Sequence, residues 1–180
     1  MPPSPDSPDH NRLGRGMIIA AWVVGLGLLT LLFGDFLESE RNPNRQVLSR
    51  QDDAGGVEVL LQRNRYAHYV ARGRINGEPV DFLVDTGASD VSVPGRIAMQ
   101  LGLKRGQPMV YQTANGNVTG YRTRIDRLEL GELVLHDVAA SINPAFAGDE
   151  VLLGMSVLKR LEFTQRGDTL ILRPLQDHPS

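Results

Sequence analysis

Residues 17–33 read MIIAAWVVGLGLLTLLF without a single charged side chain, and no other stretch so limits what the chain can do. With Gly16 and Gly34 the run would span about 28 Å as a helix at about 1.5 Å per residue, near the hydrocarbon thickness of a bilayer. A helix apolar on every side would find too little protein to cover it in a chain of 180 residues. A transmembrane helix over 17–34 is therefore expected in place of a buried core helix. Trp22 and the glycines Gly25, Gly27 and Gly34 are tolerated in such helices. Arg12 and Arg15 ahead of the run resemble the charged start of a cleaved secretory signal. However, the apolar run is longer than a signal core usually is, and FGDFL at 33–37 offers no small-x-small cleavage site, so an uncleaved signal anchor fits better.

Arg12 and Arg15 are the positive charges nearest the helix, whereas Asp35, Glu38 and Glu40 follow it before Arg41, Arg45 and Arg50. That asymmetry predicts a cytoplasmic N-terminus and a single pass through the inner (cytoplasmic) membrane, with the remainder in the periplasm of a Gram-negative cell. Residues 1–16 hold four prolines among Ser, Asp and Asn and read as a disordered tail. Residues 35–56 read as a polar linker, 57–174 as the folded domain and 175–180 as a second tail.

The formal net charge of -2 supplies no basic field for phosphates, which excludes nucleic acid as a partner. Four arginines within 63–74 alternate with Tyr66 and Tyr69, and a solvated strand face accounts for them. Absence of cysteine excludes disulfides, thiolate metal sites and a cysteine nucleophile. His10, His68, His136 and His178 form no close ligand pair and read as surface or loop residues, so neither a metal nor a cofactor is expected.

From Val57 onward short apolar runs are broken by turn signals, the pattern of an all-β domain. The expected strands are 57–62, 67–75, 80–84, 91–93, 109–113, 118–130, 133–142, 151–153 and 169–172. Asn76-Gly77 and Asn115-Gly116 sit where hairpins would turn, and Gly131-Glu132 makes a third. Short helices are expected at 96–101 and 155–161, where apolar residues recur on one face.

Within this pattern FLVDTGAS, residues 82–89, puts Asp85 directly after an apolar strand and before a glycine turn. The tripeptide alone is a weak signal, since a strand-ending turn in which Asp85 bonds its own backbone would use the same residues. An approach strand this apolar points instead to a carboxylate delivered to a protected site. Asp81 and Asp90, on either side, read as surface groups; Asp126, Asp137, Asp149 and Asp168 are assigned no chemistry.

The segment resembles the active-site loop of retropepsin-type aspartic proteases, D-T-G-A-[ST]. Leu152-Leu153-Gly154 after Val151 has the apolar-apolar-Gly form that follows the flap in that family, with a short helix next. Residues 111–121, with Thr113-Ala114-Asn115-Gly116 at the tip, look like the flap hairpin. His68-Tyr69-Val70, Ile75-Asn76-Gly77 and Leu153-Gly154-Met155-Ser156 narrow the likeness to bacterial membrane-anchored, single-domain members over residues 57–174. The resemblance implies an all-β, retropepsin-like acid protease barrel with one or two short helices after the transmembrane helix, and an aspartic endopeptidase activity on protein or peptide substrates.

That chemistry needs two carboxylates sharing one proton, yet the chain holds a single Asp-Thr-Gly. The resemblance therefore implies a homodimer in which two chains each donate Asp85 across a two-fold axis. It further implies that Thr86 ties the two loops together, that Gly87 lets the backbone pass close to the carboxylate, that Ala88 is small enough not to block it, and that Ser89 hydrogen-bonds it from outside. The flap here is not glycine-rich throughout, unlike that of better-known members. Residues 169–172 could form an interface sheet, although Arg173-Pro174 would stop it early. A protease-like module that clasps an extended peptide without cutting it is the alternative.

Overall fold

The structure is a computed structural model that describes residues 10–51, 55–113 and 116–175. Of the tails expected at 1–16 and 175–180, residues 1–9 and 176–180 lie outside the described residues, as do the hairpin-tip residues Ala114 and Asn115, while 10–16 are helical and not a disordered tail. The chain forms two units, Met1–Ser39 and Glu40–Ser180.

The described residues of the first unit form the helix α1 (His10–Arg41), whose last two residues belong to the second unit. It is long and apolar enough to cross a membrane, and none of its most apolar window is buried against protein; a signal sequence would pass the same test. The helix is longer than the 17–34 expected. Residues 35–41 contribute Leu, Glu and Arg, good helix formers with no proline to end the run until Pro43.

In the second unit the strands are β1 (Leu48–Gln51), β2 (Val57–Gln62), β3 (Val70–Ile75), β4 (Glu78–Val84), β5 (Val91–Pro94), β6 (Pro108–Thr113), β7 (Gly116–Leu130), β8 (Leu133–Asn143), β9 (Glu150–Leu153), β10 (Leu161–Arg166) and β11 (Thr169–Pro174). Two short helices, α2 (Gly95–Gln100) and α3 (Met155–Leu158), fall where apolar residues repeat at helical spacing. One sheet has seven strands in the order β3-β4-β9-β5-β8-β7-β6. A further pairing of β3 with β7, through Arg74↔Glu129 and Ile75↔Leu128, curls it toward a barrel. β7 reaches three neighbours because it is 15 residues long. The other sheet is β1-β2-β11-β10.

Turn chemistry fixes these registers. Asn76 and Gly77 both take positive φ, 53° and 89°, as a two-residue hairpin between β3 and β4 requires. Gly131 (φ 58°) turns β7 into β8, and Gly167 (φ 60°) turns β10 into β11. Alternation along the strands sends Phe82, Ile125, Leu128, Leu153 and Leu172 into a shared core with no exposed surface.

The segment 35–56, expected to be linker, is largely structured. After α1 ends, Asn42 and Asn44 are buried, 4% exposed each, and β1 pairs with β2 from Leu48↔Leu60 to Gln51↔Val57. Asn44 donates through Nδ2 to the carbonyls of Gln62 (2.9 Å) and Val70 (2.7 Å), while its Oδ1 accepts the Gln62 amide (2.7 Å). Its carbonyl accepts the Arg72 amide at 3.0 Å. These are the contacts of a side chain substituting for a missing strand neighbour, which is why the segment is polar yet ordered. Arg41 reaches Glu150 at the start of β9, and Asn42 donates to Asp81 on β4.

β11 differs from expectation as well. It runs through Arg173 to Pro174 and is paired on both sides, by β10 and by β2, so it offers no free edge; the edges of that sheet are β1 and β10.

Candidate active site

β4 delivers Asp85. Its burial alternates until Phe82, and its last four residues run parallel to β9, with Val84 opposite Leu153. The Asp85 amide donates to the Leu153 carbonyl at 3.2 Å, and the Met155 amide donates to the Ala88 carbonyl at 2.8 Å. The loop after β4 and the turn after β9 are thus laced together. Glycine at 154 is what permits it: a Cβ there would lie 2.2 Å from the Asp90 carbonyl and 2.6 Å from that of Ala88. The Leu152-Leu153-Gly154 motif accordingly packs under the loop.

Within the loop the Gly87 amide donates to Asp85 Oδ1 at 2.8 Å, orienting the carboxylate, and the Ala88 amide donates to the Asp85 carbonyl at 3.3 Å. Asp85 and Ala88 are half-buried, whereas Thr86, Gly87 and Ser89 are exposed. A single chain therefore covers the carboxylate only in part. Among the described residues the Ser89 hydroxyl makes no bond to Asp85. Thr113 ends β6 and Gly116 (φ 104°) begins β7, so both flank the tip of the expected hairpin, with Thr113 opposite Gly116.

Asp90, expected at the surface, is half-buried and held at both carboxylate oxygens. Ser141 Oγ, on buried β8, donates to Oδ1 at 2.9 Å, and the Tyr111 hydroxyl, on β6, donates to Oδ2 at 3.2 Å. Burial pushes the Asp90 carboxyl above its ordinary range, against the opposing pull of the two hydrogen bonds and the Arg122 charge. Burial likewise raises the Tyr111 phenol. Asp90 also lines a cavity of about 660 Å³ with Arg105, Met109, Arg122 and Ala140. Nothing near Asp90 in sequence announces this, because its partners lie 21 and 51 residues away.

Asp81, likewise expected at the surface, is half-buried and accepts from Arg72 at 2.9 Å and from Asn42 at 3.1 Å. The four arginines of 63–74 each have a partner: Arg63 pairs with Asp168 (2.5 Å), Arg65 with Glu40 (3.8 Å) and Arg72 with Asp81, and Arg74 donates to the Gly77 carbonyl (2.7 Å). Asp137 and Asp149 pair with Arg124 and Arg96. Among the described residues no cluster of three or more His, Asp or Glu side chains could hold a metal ion.

This geometry has relatives. Residues 71–160, half of the chain, match the family described as "gag-polyprotein putative aspartyl protease". An uncharacterized protein encoded in the cobV 5' region of Sinorhizobium sp is 30% identical over 178 residues, covering 91% of this chain and 76% of that protein. An uncharacterized protein of Rickettsia prowazekii (strain Madrid E) is 29% identical over 119 residues, covering 64% of this chain and 51% of that protein. Among solved structures, a retropepsin-like aspartic protease from Rickettsia conorii matches with a TM-score of 0.56 at 28% identity, over 72% of this chain and 96% of that one. By sequence and by fold, the chain belongs to the gag-polyprotein aspartyl protease family and has the retropepsin-like architecture.

Proposed function

We propose that the protein is an aspartic endopeptidase whose active site is completed by a second copy of itself, with Asp85 of each chain as the catalytic carboxylate. The observation that carries this is the lacing of the Asp85 loop to β9, which fixes a carboxylate that one chain leaves half open. One Asp-Thr-Gly per chain supplies half of the required pair. In the dimer the two carboxylates share one proton.

The ionised member takes a proton from a water whose oxygen adds to the peptide carbonyl carbon; the protonated member gives its proton to the carbonyl oxygen. As the resulting diol collapses and the C–N bond breaks, the carboxyl that took the water's proton gives it to the leaving nitrogen and the other carboxylate takes a hydroxyl proton of the diol, which restores the single shared proton. Thr86, exposed in a single chain, reaches across to the other chain and ties the two loops together. The hairpin bearing Thr113, Ala114, Asn115 and Gly116 closes over the peptide and excludes water. Helix α1 anchors the enzyme in the inner membrane with the protease domain in the periplasm, restricting it to substrates near that surface.

The test compares detergent-solubilised wild type with Asp85→Asn on a peptide library. Cleavage by wild type and none by the variant, with unchanged thermal melting, is the expected result; equal cleavage by both would remove Asp85 from the chemistry. The clasping alternative draws on the free edge of the seven-stranded sheet at β6. It predicts peptide binding without hydrolysis, and no Asp85-dependent binding of a statine transition-state mimic.

A further inference from the structure

The Asp90 cluster joins the active-site loop to the first strand of the expected flap hairpin. On one side is the active-site loop, and Asp90 closes it five residues after Asp85. Its position is fixed from several directions. Ser141 comes from β8, which is buried at that point, and the Asp90 carbonyl rests against Gly154. The next amide, Val91, donates to Ser156 Oγ at 3.1 Å, and that hydroxyl donates to the Ala139 carbonyl at 2.9 Å.

On the other side is β6, the edge strand of its sheet. Among the described residues it pairs with β7 alone, from Pro108↔Tyr121 to Thr113↔Gly116. Tyr111 is the residue of β6 that reaches back to the loop. Its path depends on Gly120 across the hairpin, where a Cβ would sit 2.8 Å from Tyr111 Cε2 and 2.9 Å from the Ile142 carbonyl. The bare backbone at 120 makes the slot in which the ring lies, and the slot aims the hydroxyl at Asp90.

We propose that the Tyr111–Asp90 hydrogen bond is a latch that holds the first strand of the flap hairpin down on the active-site loop, making both residues positioning residues for peptide binding. The proposal rests on Asp85 being catalytic only insofar as the latch is read through substrate. Neither latch residue touches the reacting atoms. With the latch made, the base of the hairpin is preset and has less conformational freedom to lose when a peptide enters. With it broken, the peptide must recruit a looser strand, which weakens binding while leaving the bond-breaking step alone.

The test uses the full chain in detergent with Tyr111→Phe, Asp90→Asn and the double variant, read by steady-state kinetics and by amide hydrogen exchange. Tyr111→Phe should raise KM roughly tenfold, equivalent to about 1.4 kcal/mol, with kcat within about twofold of wild type. Asp90→Asn keeps an oxygen that can accept from Tyr111 and should raise KM less. The double variant should be no worse than Tyr111→Phe alone, because both changes break one bond. Exchange should quicken in β6 and the facing part of β7 while β4 and β8 keep their protection.

An unchanged KM with unchanged exchange overturns the latch. So does a double variant whose KM is the product of the two singles, or faster exchange spread evenly over the domain. If wild type cleaves nothing, the endopeptidase reading falls, and the exchange pattern still decides the latch.

Discussion

Leu153 accepts the backbone amide of Asp85, so the carboxylate's height above the sheet is set by a strand nearly seventy residues further along the chain. The two strands run parallel, and the residues that follow them, Asp85 and Gly154, emerge side by side. This contact has no slack, because the glycine faces two carbonyls at less than a methyl group's separation.

Gly154→Ala is accordingly expected to push the loop away from β9, costing about 2–3 kcal/mol by overpacking. Urea denaturation gives the stability loss. Proteolytic activity should fall with it even though Asp85 is intact; a fully active, fully stable variant would show that the loop tolerates displacement.

Asn44→Ala removes three side-chain hydrogen bonds from the interior and leaves Gln62 and Val70 backbone groups without them. A loss of about 2–4 kcal/mol is expected on the usual scale for unsatisfied buried groups. A chain started at Val57 should melt well below one started at Glu40 for the same reason. Equal melting temperatures for the two would show the strap to be dispensable.

Glu58, 2% exposed on β2, is clasped between Arg50 of β1 at 2.6 Å and Arg173 of β11 at 2.5 Å. The Arg50 hydrogen bond, with that of Arg173, holds its carboxyl below the ordinary range. A carboxyl whose folded value is depressed contributes stability above its unfolded value and loses it as pH falls through the folded one. Glu58→Gln should thus melt lower than wild type at about pH 7, and the gap should close toward about pH 3, below the usual carboxylate range. A gap that stays constant across that interval would show that the ion pairs contribute nothing to it.

A site assembled from two chains also predicts a rate law. Specific activity should fall on dilution once the dimer dissociates, and adding Asp85→Asn chains in excess should poison wild type through mixed dimers. Activity per chain that is independent of concentration and immune to the variant would favour a self-sufficient protomer.

Much of this architecture is written in local pattern. Each expected strand from 57–62 to 169–172 has its counterpart, because inward residues such as Phe82, Ile125 and Leu172 recur at the strand period. β1 and β10 escaped notice for a physical reason. As edge strands with burial on few residues, Leu161 alone being fully buried in β10, they are held by backbone pairing that leaves no apolar rhythm in LSRQ or LEFTQR. The strap at 42–44 misled in the opposite direction. Asn and Pro ordinarily mark loose chain, and only the neighbouring strands reveal that Asn44 is filling their hydrogen bonds. At the site, Asp85 and Gly154 are legible as motifs, whereas Asp90 is not: its role depends on Ser141 and Tyr111, which only the folded sheet brings to it.

The docking of residues 42–51 has a consequence for how such a domain could ever be set free. A protease nicking the chain between Asn42 and Gln51 would not clip a leash; it would pull a plank from the hull, loosening β2 from its outer neighbour and β3 and β4 from the asparagine bonds that brace them. If helix α1 anchors the domain as proposed, a soluble form that keeps these contacts is one cut upstream of Asn42.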